Sequence, residues 1–309
     1  MDNQKNKAYN SNGTITTDDG VEIFWQTKGE GPMMICCNGV GVSTFFWKYI
    51  NIDFHKTNTI LTWDYRGHGE SQRNLHPKET DLSIARHAKD LKQVLDHLRP
   101  EEEQVILIGH SMGCQVALEF QHLFPQRIQG LMLLLGTAGR ALETFGDNPM
   151  SPYIFRAIRR LNHKIGPKIN TLIHPLIRSP VAWPFTTRFE LVDPLYTSHE
   201  DFQPYLDHLA SMDILLFTEA IWACQQHDAW PYLKEIDIPV LVVAAERDTF
   251  TPVHCAQDMV KAIPTCEFMV LADGSHAALI EQPENISHRF KRFIRDHQLL
   301  EPQQLQHHN

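Results

Sequence analysis

The stretch "QVILIGHSMGCQVALEF", residues 104–120, decides how this chain folds. Val105–Ile108 is an unbroken aliphatic run, as expected of a strand covered on both faces. Val116, Phe120 and Leu123 then recur at helical spacing until Pro125 stops the pattern. Only Gly109-His110-Ser111-Met112-Gly113 lies between the two. Such an abrupt strand-to-helix turn holds its central residue in a strained conformation, with the side chain exposed above the sheet. Residues two before and two after crowd against neighbouring backbone, and glycine alone lacks the side chain that would clash. The helix that follows points its amino end at the same spot, where negative charge is stabilised. Ser111 is therefore the candidate nucleophile; the plainer reading is a tight turn whose serine caps the helix.

Working outward, the chain alternates strands with helices. Residues 14–17 and 22–27 flank Asp19-Gly20, a hairpin signal. Apolar runs at 33–38, 59–64, 105–109, 131–136, 240–246 and 267–273 suit central strands of a mostly parallel sheet. Helical stripes stand between them. One is Ala85, Ala88, Leu91, Leu95 and Leu98; another is Ala256, Met259 or Val260, and Ile263; a third is Ile286, Phe290 and Phe293, opened by Pro283. The pattern predicts a doubly wound α/β fold. It lapses once, over 138–237, a block with helical patterns only, read as a helical cap over the carboxyl ends of the strands. The expected organisation is a polar tail over 1–13, a core over 14–137 and 238–298, the cap between, and a polar tail over 299–309.

A serine needs a base to take its proton and an acid to orient that base. Asp248 stands just beyond the run 240–246, and His276 just beyond the run 267–273, so both fall at the edge of the sheet that carries Ser111. The order Ser111, Asp248, His276 is the one that accompanies this kind of elbow. Rival acids are Asp273, too near His276 in sequence to orient it easily, and Asp228 in the cap. His68 and His110 are read as packing or positioning loops.

With these residues in hand, the chain resembles the α/β-hydrolases from about Thr14 to Arg295. "WDYRGHGES" (63–71) is similar to the Asp-x-Arg-Gly-x-Gly-x-Ser loop after the family's fourth strand, and Arg66 and Asp64 are read as tying turns together. The resemblance implies an oxyanion hole of two backbone N–H groups, Met112 and, from the loop after residues 33–38, Val40. Asn38 departs from the pattern, standing where a His-Gly pair is usual.

With Ser111, His276 and Asp248 in these roles, the chain reads as a serine hydrolase acting on small to medium, largely apolar carboxylic esters, a mechanism that needs no metal or organic cofactor. An acyltransferase, a thioesterase or a cofactor-free haloperoxidase-like enzyme shares the same triad. A ligand-binding receptor on the scaffold is the alternative of another class. The net charge of −9 opposes nucleic acid as a partner. No apolar run is long enough to span a bilayer, and six cysteines without metal or CxxC spacing read as buried thiols in a reducing cytoplasm. In the cap, Ile154, Ile158, Leu161 and Ile165, continued by Ile169, Leu172, Ile173, Leu176 and Ile177, read first as helices packing on the core. With Arg156, Arg159, Arg160, Lys164 and Lys168 alongside, they could instead form a basic amphipathic surface for anionic membranes. Residues 213–226 read as a helix roofing the pocket, with Phe217 and Trp222 as candidate substrate contacts.

Overall fold

A computed structural model describes residues 10–100, 104–188 and 191–299. Its sheet has eight strands: β1 (Ser11–Thr16), β2 (Glu22–Lys28), β3 (Met33–Cys37), β4 (Thr59–Trp63), β5 (Val105–His110), β6 (Ile128–Leu134), β7 (Val240–Ala245) and β8 (Cys266–Leu271). They lie in the order β1-β2-β4-β3-β5-β6-β7-β8. The β1–β2 hairpin joins β4 antiparallel, and every later pairing is parallel.

Alternate side chains of the central strands serve different faces. Ile35, Leu61, Leu107 and Leu131 join one buried cluster, while Met34, Ile60, Ile106 and Met132 join another. Helices α2 (Ile84–Leu98) and α3 (Met112–Leu123) cover the first face. Its stripe residues Ala88, Leu91 and Leu95 are buried there, with Val116 and Phe120 of α3. Helix α1 (Lys48–Phe54) covers the second. The same two-sided burial makes the strands continuous apolar runs, which is why they were legible.

Among the described residues, six α-helices stand between β6 and β7: α4 (Ala141–Thr144), α5 (Ser151–Ile165), α6 (Lys168–Ile177), α7 (Ala182–Arg188), α8 (His199–Leu209) and α9 (Ile214–Gln226). Ser198 and Asp213 cap α8 and α9, their side chains accepting from the N–H groups of Asp201 and Leu215. Thus the fold is a doubly wound, mostly parallel sheet with an inserted helical cap. After β7 come α10 (Val253–Ala262), then, beyond β8, α11 (Ala278–Glu281) and α12 (Pro283–Asp296). Met259, not Val260, takes the buried place on α10. Ile286, Phe290 and Phe293 of α12 are buried on the second face.

Three expectations change. β1 begins at Ser11, inside the stretch read as tail; an exposed edge strand is held by backbone hydrogen bonds and needs no apolar pattern. Leu299, expected in the carboxyl tail, is buried. The stripe Ile154, Ile158 and Leu161 does not pack on the core, because each is about half exposed.

The connections after β3 and β5 run in opposite directions, since β4 lies to one side of β3 and β6 lies beyond β5. A crevice forms outside the carboxyl ends of strands at such a switch point. The segment after β5 there is Ser111, and the segment after β3 is Asn38–Gly41.

Candidate active site

Ser111 sits between β5 and α3 with φ 55° and ψ −118°, in the left-handed region that non-glycine residues avoid. A Cβ on Gly109 would lie 2.5 Å from the Gly113 carbonyl oxygen, and one on Gly113 would lie 2.0 Å from that of Cys37. Both flanking glycines are therefore steric necessities, as the sequence predicts.

His276 follows β8, and its Nε2 lies 3.0 Å from Ser111 Oγ. Its Nδ1 lies 2.8 Å from Asp248 Oδ2. An imidazole protonated on Nδ1 donates to Asp248 and leaves Nε2 to accept from the serine hydroxyl. Asp248 follows β7 and is buried. Its Oδ1 accepts from the N–H groups of Phe250 and Thr251, at 2.9 and 3.0 Å, and Oδ2 from the Thr251 hydroxyl at 2.8 Å. Burial acts to raise its carboxyl, but the His276 charge and hydrogen bond and the Thr251 hydrogen bonds outweigh that, holding it below the usual carboxylate range. The rivals are elsewhere. Asp273 accepts from Arg247 at 2.7 Å, and Asp228 lies 3.4 Å from Arg140.

The loop after β3 is pinned from several sides. Buried Asn38 donates through Nδ2 to the Trp63 carbonyl at 2.7 Å, and its Oδ1 accepts from Trp47 Nε1 at 2.6 Å. Gly41 donates its N–H to His68 Nε2 at 3.1 Å, and its carbonyl accepts from His208 Nδ1 at 2.9 Å. Gly39 abuts the serine: a Cβ there would lie 3.2 Å from Ser111 Cβ. Val40 stands between these two glycines and lines the same cavity as Ser111. Met112 is the first residue of α3, where N–H groups lack helical acceptors. His68 and His110 position loops; His110 Nε2 lies 3.0 Å from the His276 carbonyl. Arg66 and Asp64 do not meet one another. Arg66 binds Asp90 and Asp19, and Asp64 accepts from the N–H groups of Thr44 and Glu70.

A cavity of about 670 Å³ opens on Ser111 and His276. Its walls are mainly aliphatic and aromatic, with Phe46, Leu142, Phe155, Phe217, Ile221 and Phe250 among them. Trp222 is not among them. It is one residue round α9 from Ile221, and the guanidinium groups of Arg156 and Arg159 lie 5.4 and 5.2 Å from its ring centroid.

Residues 32–283 match the family described as alpha/beta hydrolase fold. The chain belongs to that family. As an α/β-hydrolase it is 26% identical over 262 residues to a protein of Pseudomonas savastanoi pv. phaseolicola named "Putative carbamate hydrolase RutD", covering 85% of this chain and 93% of the relative. An esterase from Thermogutta terrifontis superposes with a TM-score of 0.71 at 22% identity, covering 93% of this chain and 99% of that one. A bromoperoxidase from Bacillus anthracis does so with a TM-score of 0.74 at 17% identity, covering 93% and 100%.

Three residues that support this hydrolase's site were missed in the sequence. Glu281 accepts from Ser275 N–H at 2.9 Å and Oγ at 2.5 Å, and from Asp193 N–H at 2.7 Å, so it fastens the residue before His276. Thr251 and His208 fasten Asp248 and the β3 loop as described. Thr251 follows Asp248 closely enough for its hydroxyl to have been a legible partner. Nothing in the sequence pairs His208 with Gly41, 167 residues away.

Proposed function

We propose that the protein is a serine hydrolase that cleaves carboxylic esters of small to medium, largely apolar substrates through an acyl-enzyme. The observation that carries this is the continuous chain from Asp248 through His276 to Ser111, ending under an apolar cavity. His276 Nε2 takes the Ser111 proton as Oγ attacks the ester carbonyl, while Asp248 orients the ring and stabilises its charged form. The N–H groups of Met112 and Val40 receive the oxyanion. His276 then gives the proton to the departing alcohol, and water repeats the sequence on the acyl-enzyme. The strained Ser111 backbone holds Oγ where substrate and Nε2 can both reach it.

The cavity volume falls in the usual range for sites that enclose a small molecule, roughly 300–1,000 Å³. Carbamate, which the savastanoi relative's name suggests, is small and polar, whereas the apolar walls favour a longer ester. Six free cysteines, five of them buried, support residence in a reducing cytoplasm.

The test is labelling by a fluorophosphonate, mapped by peptide, beside hydrolysis rates over a series of esters. Label on Ser111 is expected, and Ser111→Ala is expected to lose at least about 10⁴-fold in kcat. Labelling at another serine, or an Ala variant with full turnover, would reject the mechanism. Dominant transfer to added alcohol or thiol would instead make it an acyltransferase.

A further inference from the structure

Residues 148–188 contain seven Lys and Arg and no Asp or Glu, within a chain of net charge −9. They build α5, α6 and α7. Helices α5 and α6 touch each other, and both pack on α9. Their inner sides are satisfied, with Ile165, Ile169 and Ile173 packed around Ile214 and Leu215. Their outer sides are not. Ile154, Ile158 and Leu161 on α5, and Leu172 and Leu176 on α6, are each 46–66% exposed. So many large aliphatic side chains on two adjoining helices mark an interaction surface.

Cations flank this apolar stripe. Arg156, Arg160, Lys164 and Lys168 are exposed, whereas Arg159 is committed to Glu219 through bonds of 2.7 and 2.8 Å. At 100° per residue, Ile154, Ile158 and Leu161 occupy a sector of α5 about 60° wide, and Arg156, Arg160 and Lys164 a neighbouring one about 80° wide. Arg156 is further held against α9 by its stacking over Trp222.

We propose that this face of α5 and α6 docks on the surface of an anionic lipid bilayer. The aliphatic side chains enter the acyl boundary, and the cations meet phosphate headgroups. Contact with a second copy across a two-fold axis would set these cations against their own equivalents, with no acidic residue in the segment to relieve them. Ile154 and Ile158 also line the cavity, so the docked face and the cavity mouth are one surface. An apolar ester dissolved in the bilayer then passes to Ser111 without crossing bulk water. That last step rests on the ester reading above; the docking does not.

Flotation of the purified chain with vesicles, phosphatidylcholine alone or mixed with phosphatidylglycerol, tests this without turnover and is equally valid for Ser111→Ala. Binding is expected to rise with phosphatidylglycerol content and to fall as salt is raised. Arg160→Gln with Lys164→Gln should weaken it by about 30-fold, near tenfold per 1.4 kcal/mol for two surface cations. Leu172→Gln with Leu176→Gln should weaken it comparably while circular dichroism and hydrolysis of a soluble short ester are unchanged. No flotation at low salt, or equal flotation on both vesicles and for the cation variant, would overturn the proposal. So would a stable dimer that the Leu172 and Leu176 substitutions dissociate.

Discussion

His110 precedes Ser111 and His68 holds the loop after β3, and both are buried. Burial, the largest influence on each, pushes them down from 6.5 to about 3. Each remains neutral while its counterpart in the unfolded chain takes up a proton below pH 6.5. The unfolded chain therefore binds more protons in that window, and stability falls as pH is lowered from 6.5 towards 3. The slope is about 1.4 kcal/mol per pH unit for each group. Urea midpoints taken between about pH 7 and 4 should decline steadily, and His68→Gln, which removes one such site, should decline less steeply. Equal slopes for the two proteins would deny His68 this part. At this scale the sequence was informative wherever a side chain's place followed from a strand end, as for Ser111, Asp248 and His276, which the fold brings together. It was silent for Glu281, whose partners Asp193 and Ser275 are brought to it only by the folding of a cap segment against the core.

The β3 loop shows how elements decide what a substitution means. In sequence, Asn38 looked like a departure from the family's pattern. In the fold, its amide ties the end of β4 to the residue before α1, accepting from Trp47 and donating to the Trp63 carbonyl. Asn38→Ala leaves Trp47 Nε1 and the Trp63 carbonyl without this partner inside the core. The cost expected from two stranded polar groups is about 2–4 kcal/mol, read as a lower Tm. With Val40 as the proposed oxyanion donor and Asn38 one of the supports of its loop, kcat should also fall by up to about 10²-fold, while the fluorophosphonate still labels Ser111. An unchanged kcat on the folded variant would mean that Asn38 does not position an oxyanion donor. Strand and helix periodicities carried the core elements because packing on both faces of the sheet imposes them. The same periodicity misled on α5, where a stripe at helical spacing faces outward: a pattern reports a shared face and not what lies against that face.

Over the whole molecule, the cavity arises only where the inserted helices close over the sheet. Ile221 of α9 and Leu142 of α4 come from opposite ends of that insertion, and both line the cavity. Ile221→Trp should narrow the space, moving the preferred acyl chain to shorter lengths and lowering kcat/KM for the longest good ester by about 10-fold or more. Rates across a chain-length series check this; an unaltered profile would place the acyl chain elsewhere.

By itself the sequence determined the alternation of strands and helices, the elbow at Ser111 and the candidate acid and base, because each depends on local spacing or on position at a strand end. Tertiary structure alone decided which carboxylate reaches His276, that Phe217 faces the cavity while Trp222 stacks under arginines, and that α5 and α6 turn aliphatic side chains to solvent. Those outcomes depend on how separate helices are rotated and packed against one another, and residue spacing within a single helix carries no information about that rotation.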